Sequence, residues 1–464
     1  MRNLNWSALS AALVICVLSG CGSSSGKPAS PTAQKASTDS ASVAATDDAP
    51  EDAVAAEGPA PKVKALPISA RKETGDAGPV FPGAAKGSAA EEMAAEDEDD
   101  EDLAEGIKDL AEGESPELKP KEGSPEWYLH ELVKLQLEPF AENLKPAEVS
   151  AAQAERLKKI AALARKAVAQ THDDKSKARV FDVAVHRLID AQVSLALLGD
   201  KEGVDGVYDS AKSLFQRDPK SKVASDAWFA LVNLAFTNAH NTAGKDDRWV
   251  KEYARLARQF VTNFPADQRG IRMLFNAALG CEWNNCPSDA YKTYALLQKQ
   301  FPESEQGLLI PAIHKRLKLQ GEPLALSGPS LENGKAISLK SYKGKTVALL
   351  FWSAQSDVSA QVFPALAKLQ SKHDSLQIVG VCVDEDKAPI QAFLKEMKFN
   401  APMIFFSEKG QTGWSNPIVK EYGVLDQSAW LIDPDGSVIS TSVTLNSLER
   451  QLSSLLKHDA SRDK

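Results

Sequence analysis

The stretch that decides the fold of the C-terminal part is residues 346–364, TVALLFWSAQSDVSAQVFP. Its first seven residues form a continuous apolar run, which is typical of a buried strand. Two serines follow, and Ser356 is placed to cap the next helix while Ser359 lies in the first helical turn. The stretch therefore predicts a buried strand, a short turn and a helix that starts at Ser356.

Strand-like and helix-like stretches alternate around and beyond this segment. Apolar runs typical of strands recur at residues 377–383, 402–406 and 429–433. Helix-like stretches fall at residues 358–372, 388–398 and 445–457. Because strands that alternate with helices build a sheet covered by helices, residues 321–458 are predicted to form an α/β domain with a central sheet.

Several short motifs of this region resemble one protein family. They are FW at 351–352, GVCVD at 380–384, GWSNP at 413–417, EYGV at 421–424 and LIDPDG at 431–436. With PLALSG at 323–328 and LKSYKGK at 339–345, they resemble the TlpA/ResA-like thiol-disulfide oxidoreductases, thioredoxin-superfamily proteins of the AhpC/TSA and Redoxin type. The resemblance covers residues 321–455 and implies a thioredoxin-like fold.

The resemblance also implies where the family's chemistry would lie. The family's working segment reads FWATWCxxCRxEMP, and residues 351–364 align with it without a gap. Ser356 and Ser359 therefore fall at the two cysteine positions. In the family, a helix N-terminus stabilises the first cysteine as a thiolate, and the second cysteine resolves the mixed disulfide. Serine forms no sulfur–sulfur bond, so no catalytic residue is expected here.

The turn that faces this segment in the family departs from the pattern as well. The family places a cis-proline before the strand that ends in LID, but residues 424–433 contain no proline. Asp426 or Gln427 occupies the place, with Gln427 as the approximate position. The resemblance therefore implies that both the redox pair and the substrate-docking turn have been lost.

The remaining cysteines offer few routes to thiol chemistry. Cys382 lies inside an apolar strand and is predicted to be a buried structural thiol. Cys281 and Cys286 flank the turn-like sequence EWNN, which favours a disulfide in an oxidising compartment. Two free thiols or a redox-active pair stay open as alternatives. The seven histidines are scattered without metal-ligand spacing, so neither a metal site nor a cofactor is expected.

Residues 124–320 show apolar spacings of three and four residues, which predict helices. Order is expected to begin at Ser124, a capping residue ahead of a proline. Three prolines each follow an apolar helix face and precede a candidate N-cap: Pro219 with Ser221, Pro265 with Asp267, and Pro302 with Ser304. The pattern resembles tetratricopeptide-type helical hairpins, which implies a protein-binding surface. A helical bundle without a binding function is the alternative.

The N-terminus reads as a targeting segment. Residues 1–20 combine Arg2 with an apolar run that is too short for an ordinary spanning helix. The run ends in LSGC, which resembles the bacterial lipobox, so Cys21 is the expected lipidation site. Gly22 after that cysteine implies the outer membrane, facing the periplasm. An ordinary signal peptide with a chance cysteine is the alternative.

Residues 21–123 are rich in Ala, Ser, Pro, Gly and acids, and they are predicted to be a disordered tether. Residues 91–105 contain ten acids and no base, which is typical of a solvated spacer. The tether contains 23 acids and 10 bases, so its negative charge exceeds the net charge of −9 of the whole chain and the folded part is near neutral. A near-neutral folded part lacks the basic footprint of a nucleic-acid-binding protein.

These features together suggest a lipid-anchored lipoprotein of the bacterial cell envelope. Its work would be that of a binding or scaffold module, with the membrane reached through Cys21 and an unidentified protein or envelope component as partner. A thiol-disulfide oxidoreductase that uses Cys281 and Cys286, or Cys382, is the first alternative. A passive envelope spacer is the second.

Overall fold

A computed structural model describes residues 120–141, 144–243 and 245–462 of the protein. The predicted signal peptide, Cys21 and nearly all of the predicted tether lie outside the described residues. None of the helices in the described ranges is long and apolar enough to cross a membrane. Contacts divide the described chain into two compact units, the first ending at Val204 and the second starting at Asp205.

The first unit consists of helices joined by short loops. Its helices are α1 (Pro125–Leu137), α2 (Pro146–Thr171), α3 (Ala178–Leu197) and the start of α4 (Lys201–Arg217), with a 3-10 turn at Lys175–Lys177. Ser124 caps α1 as predicted, because its hydroxyl accepts the Trp127 N–H at 3.2 Å. Leu132 of α1 and Ile160 of α2 are buried in a shared apolar cluster that holds these helices together.

The second unit begins with the rest of α4 and five further helices. They are α5 (Lys222–Asn241), α6 (Arg248–Asn263), α7 (Arg269–Trp283), α8 (Pro287–Gln300) and α9 (Glu305–Leu317). The hydroxyls of Ser221 and Ser304 accept N–H groups of the first turns of α5 and α9, so these two predicted caps are confirmed.

The third predicted cap, Asp267, is wrong by one residue, because Gln268 is the N-cap residue of α7. The Asp267 carboxylate still accepts the Arg269 N–H in the first turn at 3.0 Å, and it also binds the Arg269 guanidinium at 2.7 Å.

The rest of the second unit is the predicted α/β region. A five-stranded sheet has the order β5–β4–β3–β6–β7, in which β3, β4 and β5 are parallel and β6 and β7 run antiparallel. Its strands are β3 (Thr346–Trp352), β4 (Leu376–Cys382), β5 (Met403–Ile404), β6 (Ser428–Ile432) and β7 (Val438–Thr444). A separate hairpin pairs β1 (Ser327–Pro329) with β2 (Ala336–Ser338).

Helices cover both faces of this sheet. They are α10 (Asp357–Gln370), α11 (Lys387–Glu396), α12 (Pro417–Tyr422) and α13 (Leu445–Arg462), with 3-10 turns at Leu339–Tyr342 and Gly413–Ser415. Every residue of β3 is buried, and successive side chains enter opposite apolar clusters, Trp352 with Phe363 and Phe351 with Trp430. The predicted fold class, a helical region followed by an α/β domain, is thereby confirmed.

The local predictions for this region were right for long apolar segments and wrong for short or half-exposed ones. The strand β3 and the helices α10, α11 and α13 appear where the sequence predicted them. The strand β7 and the six-residue helix α12 were missed. In VISTSVT, serine and threonine interrupt the apolar residues, so no continuous apolar run marks the strand.

Arg316 ties the helical segment of the second unit to the α/β region. Arg316 of α9 binds the Glu282 carboxylate of α7, and both side chains are 4% exposed. The same guanidinium donates from Nε to the Tyr422 carbonyl at the end of α12, at 3.2 Å. The second compact unit contains both the helical segment that starts at Asp205 and the α/β region. The domain boundaries predicted at residues 124, 321 and 458 therefore stay predictions.

Candidate functional site

The turn between β3 and α10 is held by a carboxylate at the end of the neighbouring strand. The Asp384 side chain accepts the Ser353 hydroxyl at 2.7 Å and the Ala354 N–H at 2.9 Å. The Gln355 N–H donates to the Ser353 hydroxyl oxygen at 3.1 Å. Because Asp384 is buried and uses both oxygens, the backbone that leads into α10 has one fixed path.

Ser356 stands at the N-cap position of α10, as predicted, with extended backbone dihedrals. Its side chain accepts no N–H of the first turn, so the predicted capping hydrogen bond is not formed. Its backbone N–H donates to the Ser353 carbonyl at 3.3 Å and its carbonyl accepts the Ala360 N–H at 3.2 Å. The half-buried hydroxyl of Ser356 is therefore available at the helix start.

Ser359 is fully buried in the first turn of α10. Its hydroxyl donates to the side-chain carbonyl of Gln427 at 3.2 Å, across 68 residues of sequence. The structure thus brings together two of the predicted site residues, the second serine and the residue at the family's cis-proline place. No peptide bond among the described residues is cis, the bond before Gln427 included.

Asp426 lies beside this contact. Its carboxylate accepts the Gln427 N–H at 2.7 Å. Burial raises the pKa of Asp426, and the hydrogen bond from Gln427 opposes that rise only in part. The side chains linked by these bonds thus carry a hydroxyl, an amide and a carboxyl group, and none of these can form a disulfide.

Cys382 is the last residue of β4 and lies opposite Trp352 in the parallel register with β3. The side chain is buried, as predicted, and burial raises the pKa of its thiol well above the usual range. A buried protonated thiol is a poor nucleophile, because the thiolate is the form that attacks. Cys382 therefore behaves as a small core residue.

Cys281 and Cys286 are free thiols in the structure, so the predicted disulfide between them is not formed there. The Cys281 thiol donates to the Val250 carbonyl at 3.7 Å, and the Cys286 thiol donates to the Asn284 carbonyl at 3.4 Å. Both side chains are buried, and burial raises the pKa of both thiols.

Within the described ranges, no group of His, Cys, Asp and Glu could hold a metal ion.

Two features of the site escaped the sequence analysis. One is the anchoring role of Asp384, whose signal was its place directly after β4 within the GVCVD motif. The other is Val362, which stands where FWATWCxxCRxEMP has its glutamate. Val362 packs against the apolar core cluster of the domain instead of presenting a carboxyl group to the site.

A helix that starts at the end of the central parallel strand, facing a loop before an antiparallel strand, defines a thioredoxin-like domain. A protein-family model described as the AhpC/TSA family matches residues 322–441. The thiol-disulfide oxidoreductase ResA of Bacillus subtilis is 32% identical over 111 residues, which are 23% of this chain and 58% of that protein. ResA of Bacillus anthracis is 30% identical over 127 residues, 27% of this chain and 69% of that protein.

Through this domain, the chain belongs to the family of the ResA-type thiol-disulfide oxidoreductases. It spans 59% of the length of the ResA proteins of Bacillus cereus and of Bacillus thuringiensis subsp. konkukian. Among solved structures, the thioredoxin domain of a Bacteroides vulgatus thiol-disulfide oxidoreductase is 21% identical, with a TM-score of 0.26, over 29% of this chain and 96% of that one. A thiol-disulfide oxidoreductase from Bacteroides fragilis is 19% identical, with a TM-score of 0.25, over 29% and 98%.

Proposed function

We propose that this chain is a binding module of the bacterial cell envelope, built on a thioredoxin-like domain that does not exchange disulfides. The observation that supports the proposal most is the hydrogen bond from Ser359 to Gln427. Disulfide exchange needs a thiolate that attacks and a second thiol that resolves the mixed disulfide. A hydroxyl donating to an amide supplies neither, and it holds the two segments together by a polar contact.

The thiols elsewhere in the described part of the chain do not compensate. Cys281, Cys286 and Cys382 are all buried, and burial raises the pKa of each. Few of these thiols are thiolates near neutral pH, and little of their surface meets a substrate. An oxidoreductase, which is what the relatives' names describe, would have to work through one of them.

The envelope location rests on the N-terminal sequence. The LSGC sequence that ends at Cys21 supports lipid attachment, and Gly22 supports the outer membrane, with the folded part in the periplasm. The partner on this proposal is a protein or another envelope component that contacts the open end of the thioredoxin-like sheet around Gln355 and Ser356. Gln355 is exposed beside the helix start, so a partner can reach it.

Single-turnover exchange tests the chemical half of the proposal. The reduced full-length protein would be mixed with fluorophore-labelled glutathione disulfide, alongside a Ser356→Cys, Ser359→Cys variant. We expect exchange from the wild type to be far slower than from the variant, because Cys281 and Cys286 are buried and react only when their turn opens. The variant should exchange faster than free cysteine, since a helix N-terminus lowers a thiol pKa from about 8.5 to about 7. Wild-type exchange as fast as that of the variant would refute the proposal.

Site-specific photocrosslinking tests the binding half. A photoreactive amino acid at Gln355 lies at the open end of the site, and one at Lys372 lies beyond the other end of α10, where it is also exposed. In intact cells we expect a discrete adduct from position 355 and none from position 372. The same adducts from both positions, or none from either, would favour a passive spacer.

A further inference from the structure

The C-terminus of α7 ends in a defined hydrogen-bonded turn. The Cys286 N–H donates to the Cys281 carbonyl at 2.8 Å, and the Asn285 N–H donates to the Glu282 carbonyl at 3.2 Å. Asn285 has a φ of 55°, in the left-handed region. These two bonds and the left-handed residue are the Schellman motif, in which the N–H groups that follow a helix close onto carbonyls of its last turn.

The motif fixes the relation between the two cysteines. Cys281 is the third residue from the end of α7, and Cys286 is the second residue beyond the helix cap. These are the two positions whose side chains often touch in a Schellman motif. The backbone bond between them closes the turn, and it brings the Cα atoms into the range of about 4.4–6.8 Å that a disulfide spans.

The present partners of the two thiols compete weakly with such a bond. Each thiol donates to one backbone carbonyl, Cys281 to Val250 and Cys286 to Asn284, over distances of 3.7 Å and 3.4 Å. Thiols are weak donors, so little is lost when their hydrogens are removed. Cys281 is 0% exposed and Cys286 is 6% exposed, so a bond between them would be shielded from reductants.

We propose that Cys281 and Cys286 are an oxidisable pair that forms a disulfide and thereby cross-links the turn between α7 and α8. The oxidant is a disulfide of the glutathione class or a protein disulfide. The Cys286 thiolate attacks one sulfur of that disulfide and releases the first thiol. The Cys281 thiolate then attacks the mixed disulfide and releases the second thiol. Two protons pass to water or to the leaving thiolates, and the oxidant takes up two electrons.

Cys286 is the first nucleophile on two grounds. It is the more exposed of the two thiols, and the Lys251 ammonium counters part of the pKa rise that burial causes at Cys286. Burial of both thiols places the exchange in a locally opened turn or in the folding chain. The disulfide would lie next to Glu282 of α7, which pairs with Arg316 of α9. Arg316 also donates to the Tyr422 carbonyl.

Peptide mass spectrometry tests this directly. Trypsin releases residues 273–292 as one peptide that holds both cysteines, because no lysine or arginine lies between Arg272 and Lys292. The full-length protein would be equilibrated in graded glutathione redox buffers, denatured, alkylated and digested. We expect an unalkylated peptide lighter by two hydrogen atoms under oxidising ratios. A doubly alkylated peptide at every ratio, or glutathione on Cys286 alone, would overturn the proposal.

Two variants at Asn285 test whether the geometry of the turn favours formation of the disulfide. Asn285→Gly keeps the left-handed conformation, whereas the β-branched side chain of Asn285→Val opposes it. We expect the equilibrium constant for ring closure with glutathione to be unchanged in the first variant and about tenfold lower in the second. Equal constants for the two variants would show that the Schellman turn does not position the pair.

Discussion

The start of α10 and the end of α7 are two helix termini at which paired side chains meet. At α10, Ser359 donates to Gln427, and the hydroxyl of Ser356 is half-buried at the helix start. At α7, Cys281 and Cys286 are thiols that lie out of reach of solvent. The helix start has the exposed N–H groups that stabilise an anion but carries no thiol. The other terminus has the thiols, but burial keeps them protonated.

The comparison shows that sulfur alone does not make a redox site. A reactive cysteine needs exposure and an electrostatic environment that favours the thiolate. Ser356, half-buried at a helix start, has that setting with oxygen in place of sulfur, whereas Cys281 and Cys286 have sulfur without the setting. Such a division suits a protein that uses one turn for recognition and the other for stability.

The largest expected effect concerns the end of α7. Replacing Arg316 by alanine leaves the Glu282 carboxylate buried without its partner, which costs about 3–5 kcal/mol of unfolding free energy. Urea denaturation monitored by tryptophan fluorescence measures the loss. The double variant Glu282→Gln, Arg316→Met removes both charges and should recover most of it. A loss under about 1 kcal/mol for the single variant would mean that the pair of Glu282 and Arg316 does not stabilise the fold.

At the start of α10, Asp384 is expected to matter next. Asp384→Ala removes both hydrogen bonds that fix the turn after β3, and about 2 kcal/mol of stability should be lost with them. Asp386→Ala is the matched control, because Asp386 is exposed and its side chain makes no capping bond to α11. Thermal unfolding of the two variants should differ clearly. Equal midpoints would contradict the anchoring role of Asp384.

The two serines should differ from each other by a smaller amount. Ser359→Ala leaves the Gln427 carbonyl without its donor and should cost about 1 kcal/mol. Ser356→Ala removes a hydroxyl that caps nothing and should cost less than about 0.5 kcal/mol. Chemical denaturation of both variants would compare them, and an equal loss would mean that the contact with Gln427 contributes nothing.

The smallest effect is a pH dependence at Asp426. Burial raises the pKa of this carboxyl in the folded protein, so the folded state binds its proton more tightly than the unfolded state does. Stability should therefore fall as pH rises from the ordinary aspartate pKa to the raised one, and stay level above it. Asp426→Asn should be more stable than the wild type at neutral pH, with the gap shrinking as pH falls from the raised pKa of Asp426 to the ordinary aspartate pKa. Unfolding at several pH values measures this gap, and a gap that widens in acid would reverse the sign.

Prediction from the sequence worked where the signal was local. The run at 346–352 gave a buried strand, and Ser124, Ser221 and Ser304 marked helix starts, because strand burial and capping depend on a few adjacent residues. It was wrong by one residue at Asp267, whose carboxylate accepts the Arg269 N–H from the position before the N-cap Gln268. It also failed at β7, because serine and threonine interrupt the apolar residues there and only the pairing with β6 defines the strand.

The sequence by itself determined that Ser356 and Ser359 stand where the family has cysteines, since that is a matter of covalent identity and alignment. It also determined the helical and α/β regions, through apolar periodicity. Only the tertiary structure placed Gln427 on Ser359, 68 residues away, because sheet pairing sets which loop faces a helix start. It also decided that Cys281 and Cys286 share one Schellman turn below the surface, since burial arises only when helices pack.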